Sequence, residues 1–209
     1  MIGRARAVAG SVSAAIALVT LGPATAHHVG TYVPKDNEIT TNFKQIKFSV
    51  QAGKFDVAHR LFETGALRTD MSARAASLPP RLEAGLRDAL QSRDGGEVER
   101  RLMVFFAALA RDLAREATRR TADPRLSREA HAAIGARFLE AIWRYYNLVD
   151  FAVARSDDRA SVVIRLAFDE ATGYVKSIAA PDKLREPFTR IAHVLSILIE
   201  SSTPARRGS

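Results

Sequence analysis

Between Asp94-Gly95-Gly96 and Asp123-Pro124 the apolar residues keep helical spacing without a break. Val98, Leu102, Phe105, Phe106, Leu109 and Leu113 fall at i, i+4, i+7, i+8, i+11 and i+15, one face of a long helix from Glu97 to about Thr121. A single helix cannot bury such a face alone. The face must be covered by other helices or by a sheet, so the rest of the chain decides the fold class.

The rest also reads as helices. Asp36 or Asn37 offers an N-cap, and Phe43, Ile46, Lys47 and Val50 follow at helical spacing until Gly53 closes the segment. Phe55, Ala58, Leu61 and Phe62 form a second stripe, which ends at Gly65 or continues, kinked, to about Ser77. After Pro79-Pro80, Leu82, Leu86 and Leu90 predict a short helix to about Ser92. Ser127 caps a long segment whose apolar face is Ile134, Phe138, Ala141, Ile142, Tyr145, Leu148, Val149 and Ala152. Asp157-Asp158 makes a turn, and the next helix runs from Ala160 to Ala171 with Val163, Leu166 and Ala167 inward. Gly173 breaks it, and Tyr174 to Ile178 reads as loop. Pro181 to Glu200 forms the last helix, with Leu184, Phe188, Ile191, Leu195 and Leu198 on its core side. The expectation is an all-α, single-domain bundle of six or seven helices.

The first 26 residues have a different grammar. Arg4 and Arg6 precede an apolar run from Val8 to Leu21, Pro23 ends it, and Ala24-Thr25-Ala26 supplies small residues for signal peptidase. The run is shorter than the roughly 20 residues a spanning helix needs. The reading is a cleaved signal peptide over 1–26, an irregular segment over 27–36, a helical domain over 37–200 and a flexible tail over 201–209. The mature form is then periplasmic or secreted, without a transmembrane segment.

Net charge is +8 in 209 residues, or +6 once the leader's two arginines are set aside. Most arginines alternate with acids, as in Arg111-Asp112 and Arg115-Glu116, the pattern of a solvated helix face rather than a nucleic-acid footprint. With no cysteine there is no disulfide, thiolate metal site or covalent haem attachment. No phosphate loop, dinucleotide fingerprint or Gly-x-Ser-x-Gly occurs, so the chain reads as non-enzymatic.

Five histidines carry the remaining chemistry. Cleavage after Ala26 would leave His27-His28 at a free amino terminus, where amine, imidazole and amide nitrogens suit copper(II). A third ligand would have to come from His59, His131 or His193, each of which also reads as a structural histidine, and the candidate metal set is His27, His28 and His59. The carboxylates Asp112 and Glu116, and Asp169 and Glu170, read as ion-pair partners, because a helical di-iron site needs Glu-x-x-His on two helices. Phe105, Phe106, Phe138 and Tyr145 could frame a small-ligand pocket or simply fill the core, and Trp143 and Tyr146 could dock a partner.

The stretch Phe138 to Gly173, FLEAIWRYYNLVDFAVARSDDRASVVIRLAFDEATG, resembles the exported helical domains associated with bacterial high-affinity iron permeases. A Leu-Glu-Ala start, aromatics, an Asp turn and an amphipathic helix carry the likeness over residues 138–173. The permease's Arg-Glu-x-x-Glu motif and the His-x-x-Glu motif of related exported iron-uptake proteins are absent. The resemblance implies metal handling but transfers no ligand; taken with the His27-His28 terminus, the cofactor it leaves open is copper or iron. The expected function is an exported accessory protein that binds a metal ion or assists a metal or redox system of the envelope. The alternative is an interaction module that docks on another envelope protein.

Overall fold

The computed structural model describes residues 35–203, which form eight α-helices and no strand. The leader, residues 27–34 and the end of the tail lie outside the described residues. Four short helices come first: α1 (Glu38–Gln51), α2 (Phe55–Glu63), α3 (Ala66–Ala73) and α4 (Leu82–Gln91). Four long ones follow: α5 (Gly95–Arg120), α6 (Arg128–Ser156), α7 (Asp158–Lys176) and α8 (Pro181–Ser202). The long helices pack in a cycle, α5 on α6, α6 on α7, α7 on α8 and α8 back on α5, as an up-and-down bundle with short connections. The short helices pack on one another and reach the bundle through α4 and α1 against α5.

The position of α5 follows from its composition. From Leu102 to Ala110 every residue is apolar and every one is buried, so this stretch is hydrophobic all round rather than on one face. Such a helix belongs inside. The bundle covers two of its sides and the short helices the others.

Helix ends follow local chemistry. Asn37 makes a capping box with Thr40 at the start of α1, and Asp94, Ser127 and Asp157 cap α5, α6 and α7. Gly53 ends α1 in the left-handed region at φ 70°, donating to the Val50 carbonyl. Gly65 separates α2 from α3, so the kinked segment is two helices. A Cβ on Gly65 would overlap the Leu61 carbonyl oxygen and Asn42 Oδ1. Asn42 occupies that space for a reason: its Nδ2 donates to the Leu61 carbonyl at 3.0 Å, and its Oδ1 accepts from the Leu67 N–H at 3.0 Å. One buried side chain therefore satisfies the end of α2 and the start of α3.

Two expectations are corrected in α7. Gly173 does not break the helix, and Tyr174 to Lys176 are its last turn rather than a loop. The left-handed residue that ends it is Ile178, at φ 49°, with Ala179 N–H donating to the Tyr174 carbonyl and Ile178 N–H to that of Val175. The inward face is also different. Ala160, Ile164, Ala167, Phe168 and Ala171 are buried, whereas Leu166 is 60% exposed. Alanines on the inner face let α7 approach α6 and α8, and Ile164 and Phe168 fill the space between. Both stripes have helical spacing, so periodicity alone could not choose between them. At the far end, Ser201 and Ser202 belong to α8 rather than to the tail.

Candidate functional site

Of the candidate metal set, only His59 lies among the described residues. His27 and His28 lie outside them. His59 is half-buried on α2, with its Nε2 3.3 Å from Gln91 Nε2 and 3.8 Å from Glu63 Oε1. Glu63 is already committed: it pairs with Arg87 at 2.6 Å and Arg68 at 2.9 Å in a network that ties α2, α3 and α4 together. No group of three or more His, Asp or Glu suited to a metal ion occurs among the described residues.

The other histidines part company. His193 is exposed on α8. His131 is 2% exposed in the first turn of α6, and its Nδ1 has no hydrogen-bond partner. The carboxylates pair with arginines: Glu116 with Arg120 at 2.7 Å, Asp112 with Arg111 at 2.8 Å, and Glu170 with Arg190 at 2.7 Å.

The aromatic candidates are core. Phe105 and Phe106 meet edge to face at 5.1 Å, Phe106 meets Phe43 at 4.7 Å, and Phe138 and Tyr145 pack against the same core. Trp143 is half-buried with its ring edge-on to Phe168 at 5.1 Å. Tyr146 is 0% exposed, so it cannot dock a partner. Burial, and the nearby Asp150 carboxylate, push its phenol well above the usual range. A phenol so placed keeps its proton.

A mostly apolar cavity lies elsewhere, in a groove of about 340 Å³ whose walls are α1 and α6 and whose floor is the first two turns of α5. Each wall presents one helical stripe. Phe43, Lys47, Val50 and Gln51 come from α1, Val98, Glu99 and Leu102 from α5, and Leu148, Val149, Phe151, Ala152 and Arg155 from α6. Phe48 and Phe151, two large apolar residues, are 66% and 69% exposed on the two wall helices. Charge is confined to three side chains. Arg155 pairs with Glu99 at 3.2 Å and lies over the Phe151 ring, and Lys47 lies over the Phe43 ring. Among the described residues Lys47 has no carboxylate partner.

The sequence did carry a signal for this groove. Phe151, which lines it, is an aromatic out of phase with the apolar stripe of its own helix, Tyr145-Leu148-Val149-Ala152, whereas Phe48, out of phase with Phe43-Ile46-Val50, does not line it. Comparisons with protein-family models, with curated proteins and with solved structures found no match to this chain.

Proposed function

We propose that this chain is an exported, non-catalytic accessory protein of the cell envelope that works by binding, and that the groove between α1 and α6 is its binding surface. The observation that supports this reading is the pairing of an apolar cavity with the exposed Phe151 in its lining. Concave, mostly apolar sites with a few placed polar groups are the common form of a binding site. Export rests on the leader grammar of residues 1–26. A photoreactive residue in place of Phe151, in the full chain expressed with its leader, tests both parts. The expected result is a shortened chain in the envelope fraction that crosslinks to a defined component from position 151 and not from position 166. A full-length chain in the cytoplasm overturns the export reading, and equal crosslinking from both positions overturns the groove.

Metal binding is kept as a second reading, because His59 is half-buried with Gln91 and Glu63 beside its Nε2. Residues 28–37 join the terminal histidines to α1, which packs on α2. Copper titration of the chain with its mature terminus, read by mass spectrometry, is expected to give one ion per chain, lost in His59→Ala. No stoichiometric ion ends this reading and leaves the groove untouched.

A further inference from the structure

The geometry points to a small anionic amphiphile as the ligand of the groove, its apolar tail between α1 and α6 and its carboxylate or phosphate head on Lys47; this rests on the groove being the binding surface. The lining of the groove is mostly apolar, with Lys47, Gln51, Glu99 and Arg155 as its polar side chains. The lining fits that tail, because Phe43, Val98, Leu102, Leu148 and Val149 offer no hydrogen-bonding side chain.

Charge gives the head group its sign. Lys47, Glu99 and Arg155 sum to a net positive groove, and Glu99 is already engaged with Arg155. Lys47 is therefore the charge left over, on the wall opposite Arg155, and an anion entering the groove meets an ammonium that no carboxylate neutralises. Arg155 stays with Glu99 and steers the approach. A cationic or neutral head gains nothing from Lys47, and a cationic one is repelled by it.

Three ten-carbon probes separate the parts of this inference in the purified full chain by calorimetry, each used below its micelle concentration: decanoate, decanol and decyltrimethylammonium. Decanoate is expected to bind one per chain, about tenfold tighter than decyltrimethylammonium, the factor one charge-assisted contact supplies. Each methylene removed from the tail should weaken binding about fourfold. Lys47→Glu, a change on a half-exposed side chain, should reverse the order of the two charged probes, and Ala152→Trp should abolish binding of all three by filling the groove. Folding of each variant is checked by its urea transition. Equal affinity for all three probes overturns the anionic head and leaves the groove standing. Binding of decanoate that ignores both tail length and Ala152→Trp overturns the buried tail. No binding of any probe overturns the amphiphile, and crosslinking from position 151 then decides separately whether the groove has another occupant.

Discussion

Asn37 Nδ2 donates to the Tyr145 hydroxyl at 3.3 Å, joining the cap of α1 to the middle of α6 across 108 positions of sequence. The same Asn37 accepts from the Thr40 N–H at 2.9 Å through its Oδ1. One side chain thus starts α1 and fixes where that start rests on α6. Beyond this tie, α1 packs mainly on α2 and α3, and the gap left between it and α6 is the groove.

Removing the tie should therefore cost stability in two parts. Asn37→Ala loses the cap and the cross-helix bond, an expected loss of about 1–2 kcal/mol. Tyr145→Phe loses only the bond, about 0.5–1.5 kcal/mol. A double-mutant cycle in urea should give a double variant no worse than Asn37→Ala alone by more than about 0.5 kcal/mol. Full additivity would mean the two groups do not interact.

The end of α7 allows a gain. Gly173 lies inside the helix with open space where a Cβ would be, so Gly173→Ala should stabilise by about 1 kcal/mol. Ile178 holds a left-handed φ of 49° that a β-branched residue adopts at a cost, and it is 42% exposed. Ile178→Gly should stabilise by about 1 kcal/mol for that reason. Thermal unfolding of the two variants would show it; a lower midpoint for Gly173→Ala would place the helix end back at Gly173.

A sharper contrast tests the inward face of α7. Phe168 is 1% exposed and packs against Trp143 and Tyr146, so Phe168→Ala should cost about 3–5 kcal/mol. Leu166→Ala, two positions away, should stay within about 0.5 kcal/mol. Chemical denaturation of both is the measurement, and equal losses would reject the observed face.

Asp123 gives a pH signature. Its carboxylate accepts from the Arg125 N–H, Nε and Nη2, and those bonds hold its pKa down at about 2, from an ordinary 3.8. A carboxylate with a depressed folded pKa contributes stability that is fully present above its unfolded pKa and is lost as pH falls through the folded one. Between pH 3.8 and about 2 the wild type should lose this contribution and Asp123→Asn should not. Unfolding midpoints across that interval should therefore converge as pH falls; parallel curves would show that Arg125 does not hold the carboxylate.

Helix existence was legible in local pattern because helix periodicity, caps and breakers act within a few residues. The Val98–Leu113 stripe, the Asn37 and Ser127 caps, and Gly53 at the end of α1 all stand where the sequence put them. Gly173 misled for the same local reason: glycine permits a left-handed end but does not require one, and the packing of Tyr174 and Val175 against the core carries α7 one turn further. The all-apolar stretch from Leu102 to Ala110 was visible in the sequence, yet its place at the centre depends on which helices surround it.

The amino-acid sequence by itself determined an all-helical fold and its main punctuation. Only the tertiary structure decided that Leu166 faces out while Phe168 faces in, that Tyr146 is buried, and that Lys47 and Arg155 stand on opposite walls of one groove. The reason is range. A residue's helical state is set by neighbours three or four positions away, whereas its partners across α1, α5 and α6 lie roughly 50 to 110 positions apart in the chain and meet only when the helices pack.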